Sequence, residues 1–64
     1  MKSTHDRILN VLNEVTGYEE LEYLDSLDTI DVIAALENEF DVEIEGEELP
    51  VTMKGVVELV ESLI

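Results

Sequence analysis

The sequence lacks cysteine altogether, has a single histidine, and has no long hydrophobic run. Without cysteine, neither disulfides nor thiolate metal sites can brace the fold, although small domains often rely on them. The chain starts with a polar, charged segment, MKSTHDR, and no apolar run is long enough to span a bilayer. We therefore expect neither a signal peptide nor a transmembrane helix, and a cytoplasmic location.

Basic residues are also scarce: three stand against 17 acidic residues, for a formal net charge of -14. Such a charge repels nucleic acids and anionic membranes, and it attracts basic protein surfaces. Solubility alone would need far less charge. The composition therefore predicts a basic protein partner, and it also predicts that added salt stabilises the fold by screening the self-repulsion.

The apolar residues predict one small helical domain over residues 1–64. Hydrophobic residues form 45% of the chain, enough for a core. The first helix is expected to start at Ser3 or Thr4 and to stop at Gly17. Its apolar stripe consists of Ile8, Leu12 and Val15, widened by Leu9 and Val11. The connection over residues 17–25 is expected to close one end of the core with Leu21, Tyr23 and Leu24.

The second helix is predicted from Ser26 to Phe40 or Asp41, with Asp25 as its N-cap. Asp28 places further negative charge in the first turn, which the helix dipole favours. The segment EIEGEELP, residues 43–50, leaves room for one short helical turn. Thr52 can cap a last helix that carries Met53, Val56, Val57, Val60, Leu63 and Ile64. The fold class is thus all-α, a four-helix bundle of three main helices and one short helix.

The second helix has two apolar stripes at about 100° per residue. One is the expected core face, formed by Val32, Ile33, Leu36 and Phe40. The other is formed by Leu27, Ile30 and Ala34, with Glu37 on one flank and Asp31 and Asn38 on the other. Either the helix packs between two neighbours, or the second stripe is an exposed, acid-framed strip that docks a basic surface with an apolar pocket.

Ser26, at the start of this helix, cannot be a self-activated nucleophile. A catalytic serine needs a nearby base, and the single histidine, His5, belongs to the polar first turn of another helix. Two interpretations stay open. Ser26 is an ordinary helix-start residue, or it is the substrate of another enzyme, since a phosphate ester there would meet free N–H groups and the positive end of the helix dipole.

The sequence indicates neither an enzyme nor a metal-binding protein. The run from Asp41 to Gly46 resembles the first half of a calcium loop, but Thr52 stands where the bidentate carboxylate is needed, so no metal site is expected. The many carboxylates do not indicate a glycosidase, because 64 residues cannot build a substrate cleft around them. We expect no catalytic residues.

The segment LDSLDTIDVIAALENEFDVEI, residues 24–44, resembles the signature region of acyl carrier proteins. In that family an Asp-Ser-Leu motif opens the second helix, and its serine carries a covalent 4′-phosphopantetheine arm whose thiol holds acyl groups as thioesters. The resemblance implies that Ser26 is the attachment site, with Asp25 and Leu27 completing the motif. It extends more weakly over nearly the whole chain.

The resemblance also implies partners. Asp28, Asp31 and Glu37 match the acids that dock basic faces of synthase or ligase enzymes and of the transferase that adds the arm. Leu27, Ile30 and Ala34 match the apolar contact strip. The implied protein is a monomeric phosphoprotein that carries acyl intermediates in fatty-acid, polyketide or related biosynthesis. A peptidyl or aminoacyl carrier is the first alternative. The alternative from a different class is an unmodified acidic adaptor or inhibitor of a basic protein.

The chain departs from the family pattern at two places. Tyr23 stands where the family usually has glycine, two residues before the motif's aspartate. The connection from Gly17 to Asp25 is also much shorter than the usual loop. Both departures indicate a short, specialised carrier.

Overall fold

A computed structural model describes residues 3–46 and 48–64. Its helical elements are α1 (Thr4–Thr16), a short 3₁₀ helix (Leu21–Tyr23), α2 (Ser26–Phe40) and α3 (Met53–Leu63). The predicted all-helical class is confirmed, as are the bounds of α1 and α2 and the start of α3 after Thr52; α3 ends at Leu63, so Ile64, which was expected on this helix, follows it. No described helix is both long and apolar enough to cross a membrane.

The helix ends follow from the capping residues. The Ser3 hydroxyl accepts a hydrogen bond from the Asp6 N–H at 3.1 Å, and the Thr52 hydroxyl accepts one from the Gly55 N–H at the same distance. Gly17 ends α1 in the left-handed conformation, with φ of 80°, and donates its N–H to the Asn13 carbonyl. Each of these signals acts within four residues, which is why the sequence alone predicts them.

The core lies where α1 packs against both other helices, so α1 and not α2 is the helix with two principal neighbours. The most deeply buried side chains come from all three helices. The buried residues are Ile8, Val11, Leu12, Leu21, Val32, Ile33, Leu36, Phe40, Ile44, Val56 and Val60. The predicted core face of α2 is therefore confirmed, whereas Leu63 and Ile64 at the end of α3 are exposed.

The short helix lies elsewhere than expected. Within the described part of residues 43–50 the chain makes no helical turn, and the 3₁₀ helix lies before α2 instead. Gly46 has a positive φ of 84°, and the N–H of Ile44 bonds to a side chain, so neither residue continues a helix. The segment instead buries Ile44 and returns the chain to α3; Glu47 lies outside the described residues.

Tyr23 corrects a second prediction. It was expected to close the core, but 60% of its side chain is exposed, while Leu21 is buried and Leu24 packs at the core's edge. A 3₁₀ helix turns about 120° per residue, so residues two apart point in different directions. Leu21 therefore faces inward, and Tyr23 turns outward to lie against Tyr18, with ring centroids 5.7 Å apart.

Proline and glycine hold the α2–α3 connection against α3. A Cβ added to Gly55 would lie 2.6 Å from the Cβ of Pro50, so only glycine allows this approach without displacement. The helix-propensity cost of Gly55, about 1 kcal/mol relative to alanine, thus accompanies a specific packing contact. That contact anchors the Leu49–Val51 segment, which reaches the start of α2.

Candidate functional site

Ser26 is held as the first residue of α2 by the Asp25 cap. The Asp25 carboxylate accepts the Asp28 N–H at 2.8 Å, and its carbonyl accepts both the Thr29 N–H at 3.0 Å and the Thr29 hydroxyl at 2.9 Å. On the preceding side, the Leu24 N–H bonds to the Leu21 carbonyl at 3.1 Å. The position of Ser26 is therefore set by the 3₁₀ helix on one side and by the cap on the other.

Ser26 is exposed, and within residues 3–46 and 48–64 its hydroxyl makes no hydrogen bond. The first N–H groups of a helix have no intrahelical partner. Asp25 satisfies that of Asp28, which leaves the N–H groups of Ser26 and Leu27 at the positive end of the helix dipole. A phosphate ester on this hydroxyl would therefore meet favourable electrostatics.

The structure provides no base for Ser26 among the residues it describes. His5 lies in the first turn of α1, where its Nδ1 is 3.7 Å from the Asp6 carboxylate. Within the described residues, no hydrogen bond joins the Ser26 hydroxyl to this imidazole, so His5 is not placed to take its proton. Nor do the described residues bring together three carboxylate, imidazole or thiol groups that could hold a metal ion.

A shallow groove of about 370 Å³ lies beside Ser26. Its lining residues are Leu24, Asp25, Ser26, Thr29, Glu48, Leu49 and Val51. One wall comes from the start of α2 and the other from the segment that Pro50 anchors against α3. The groove thus offers polar groups at Ser26 and apolar side chains beyond it, a combination that fits a flexible, partly polar arm.

The second apolar stripe of α2 faces solvent. Leu27 is 72% exposed, Ile30 is 41% exposed, and Ala34 is also exposed, because α1 covers the opposite face. The interpretation in which α2 packs between two neighbours is therefore wrong. The exposed Leu27, Ile30 and Ala34 are called the apolar strip below, and the strip begins one residue after Ser26.

The acids beside the apolar strip differ in their contacts. Asp31 is exposed, and Asp28 uses only its backbone N–H in the cap. Asp28 and Glu37 are both half-buried, but among the described residues only the Glu37 carboxylate has a bonding partner after the helix: it accepts the Ile44 N–H at 2.8 Å. This contact holds the chain reversal after α2, a structural role that no sequence signal predicted because it joins residues seven apart across an irregular turn.

The comparison with family models matches residues 7–63 to the family described as "Phosphopantetheine attachment site". The match covers α2, α3 and α1 from its fourth residue onward, and it includes the Asp25-Ser26-Leu27 motif. Neither the comparison with curated proteins nor the comparison with solved structures finds a match.

Proposed function

The chain belongs to the phosphopantetheine attachment-site family, and within that family we propose that Ser26 is the residue that carries the arm. The family assignment makes the protein a non-catalytic carrier to which 4′-phosphopantetheine is covalently attached. An unmodified adaptor or inhibitor is thereby set aside. When bound, the arm supplies the thiol that holds a cargo as a thioester.

The observation that carries the proposal is the exposed hydroxyl of Ser26 at the capped start of α2. The chain also contains Ser3 and Ser62, but both hydroxyls are engaged: Ser3 caps α1, and Ser62 donates to the Leu59 carbonyl at 2.6 Å. Loading would join the Ser26 oxygen to the phosphorus of the phosphopantetheine half of coenzyme A. The pyrophosphate bond breaks, the nucleotide half leaves, and the transferase takes the serine proton.

We assign partner recognition to the apolar strip together with Asp28, Asp31 and Glu37. The exposed strip and the acids near it support docking to basic faces of the transferase and of the synthase or ligase enzymes that handle the cargo. Asp31 and Asp28 are the acids best placed to pair with a partner's cations. Glu37 contributes negative charge while its carboxylate stays bonded to the Ile44 N–H.

The groove beside Ser26 supports an acyl cargo of fatty-acid, polyketide or related biosynthesis. Leu24, Leu49 and Val51 provide apolar surface within reach of a flexible arm on Ser26. A peptidyl or aminoacyl cargo is the alternative, because the partner enzymes select what the arm receives. The monomeric state, the cytoplasmic location and the extent of a single domain over residues 1–64 stay predictions.

Intact-mass analysis after incubation with coenzyme A and a broad-specificity transferase tests the attachment site. We expect the wild type to gain the mass of one phosphopantetheinyl group and Ser26→Ala to gain nothing. Ser62→Ala is the matched control and should load like the wild type. An unchanged wild-type mass, or an addition that survives Ser26→Ala, would refute Ser26 as the site.

A further inference from the structure

Exposed apolar surface is concentrated around Ser26. Eight large hydrophobic residues are exposed among the described residues. Five of them lie in the connection before α2, in the first half of α2, or in the segment that lines the Ser26 groove: Tyr18, Tyr23, Leu27, Ile30 and Val51. The apolar strip accounts for two of these five. The two tyrosines form a separate exposed surface outside the apolar strip.

The two tyrosines form an exposed aromatic pair. Tyr23, the nearer of the two in the chain, lies three residues before Ser26. Their ring centroids are 5.7 Å apart and the ring planes are tilted by 40°, so each ring supports the other. Tyr18 remains 43% exposed and Tyr23 60% exposed. A pre-ordered pair of tyrosines with one free face is a favourable contact for a partner protein, since it costs little conformational entropy to bury.

Three carboxylates next to the aromatic pair in the chain lack a basic partner among the residues described. Glu19, Glu20 and Glu22 lie in the same connection, and the ion pairs within residues 3–46 and 48–64 involve other residues. Glu22 raises the pKa of Glu20, by hydrogen bonding to it and by repulsion between like charges. A cation arriving at this surface would relieve that repulsion.

The chain itself shows how an aromatic ring and a carboxylate together hold a guanidinium. Arg7 places its Cζ 4.3 Å from the centroid of the Phe40 ring. The same side chain pairs with the Glu39 carboxylate at 3.0 Å. The free face of Tyr23, with Glu20 and Glu22 nearby, offers the same two kinds of group without an arginine from the described chain.

We propose that the Tyr18–Tyr23 pair is a recognition element for the transferase that loads Ser26, and that it receives an arginine from that enzyme's basic face. The inference rests on the proposed function of Ser26. The transferase must bring coenzyme A within bonding distance of the Ser26 hydroxyl, so it must cover the residues around Ser26. Enzymes that act on the distal thiol can approach from further away, because the arm is flexible.

The test compares loading rates of single variants with coenzyme A and a broad-specificity transferase. We expect Tyr23→Ser to lower kcat/KM for loading by about fivefold to thirtyfold, the range that corresponds to a desolvated cation–π contact. The loss should appear mainly in KM. Tyr23→Phe keeps the ring and should stay close to the wild-type rate, which distinguishes recognition by the ring from a requirement for the hydroxyl.

Ile64→Ser is the matched control. Ile64 is 63% exposed, close to the value for Tyr23, but it follows α3 at the end opposite to the segment beside Ser26. Its replacement should leave loading unchanged. Circular dichroism should show that all variants keep the wild-type helix content, because none of these side chains is buried.

A second readout uses binding without turnover. In Ser26→Ala, titration with the transferase should broaden or shift backbone amide signals of residues 18–23 as well as those of the apolar strip, while residues 57–64 stay unperturbed. Wild-type loading at Ser26 combined with wild-type kinetics for Tyr23→Ser would overturn this inference and leave the proposed function intact. Failure of the wild type to load would overturn both.

Discussion

The two ends of α2 have similar compositions but opposite surroundings. At its start, Ser26 and Leu27 are exposed, and no other helix covers the apolar strip. At its end, Phe40 is buried, Glu39 binds Arg7 of α1, and Glu37 binds the backbone of the following turn. Apolar and acidic residues are therefore exposed at one end, where we propose that they bind a partner, and hold the fold together at the other. The position of a residue relative to α1 and the turn after α2 decides which of these roles it has.

The largest contrast is expected between two leucine-to-alanine substitutions on this helix. Leu36 is fully buried, so Leu36→Ala should lower the free energy of unfolding by about 2–5 kcal/mol. Leu27 is 72% exposed, so Leu27→Ala should change it by less than about 0.5 kcal/mol. Urea denaturation measures both values. Comparable losses for the two variants would contradict the contrast.

The Leu27→Ala and Leu36→Ala variants also distinguish an effect on stability from an effect on partner recognition. Leu27→Ala should slow loading of Ser26 by the transferase, since it truncates the more exposed of the two large side chains in the apolar strip. The rate is measured on folded protein by intact mass. If Leu27→Ala loads at the wild-type rate, Leu27 is not part of the docking surface, and docking does not explain its exposure.

Gly55→Ala should destabilise the protein, although alanine is the better helix former. The new Cβ would lie 2.6 Å from that of Pro50, and such overpacking typically costs about 1–3 kcal/mol. Thermal denaturation measures the change. Because Pro50 positions the segment beside the Ser26 groove, we also expect shifted amide signals for Leu49 and Val51. A higher melting temperature would show that propensity outweighs this contact.

The acids at the two ends can be compared by removing one charge at a time. Glu37→Gln weakens a charge-assisted hydrogen bond to the Ile44 N–H and should cost about 1–2 kcal/mol. Asp31→Asn removes the same charge from an exposed side chain and should leave stability unchanged or slightly raise it by reducing self-repulsion.

Loading kinetics complete this comparison. Asp28→Lys combined with Asp31→Lys should reduce the loading rate and its dependence on salt, since those acids are proposed to pair with the transferase's cations. Asp31 tests docking most cleanly, because Asp28 also places favourable charge in the first turn of α2 and replacement of Glu37 disturbs the turn after it. An unchanged rate with an unchanged salt dependence would exclude this face as the docking surface.

A modest stabilising effect is expected at the C-cap of α2. Asp41 adopts a left-handed conformation with φ of 54°, which glycine adopts without steric cost. Asp41→Gly should therefore raise the free energy of unfolding by up to about 1 kcal/mol, and it also removes one negative charge. Loading should not change, because the substitution lies at the end of α2 remote from Ser26. Destabilisation would indicate that the Asp41 side chain has a structural role.

The sequence predicted the parts of the fold that depend on near neighbours. Asp25 caps α2, Thr52 caps α3, and Gly17 ends α1, because each acts on residues at most four positions away. It did not predict the side on which Tyr23 lies or the position of the short helix. Those depend on how Leu21 and Ile44 fill the core between elements distant in the chain.

By itself, the sequence determined the helices, their caps, the negative charge and the Asp-Ser-Leu motif, since all of these follow from covalent order and local hydrogen bonding. Only the tertiary structure decided whether the second apolar stripe of α2 stays exposed, because that depends on α1 being the helix that packs against both others. It also decided that Glu37 braces a turn and that Pro50 brings a groove wall beside Ser26. These are contacts between chain segments, and no single segment specifies them.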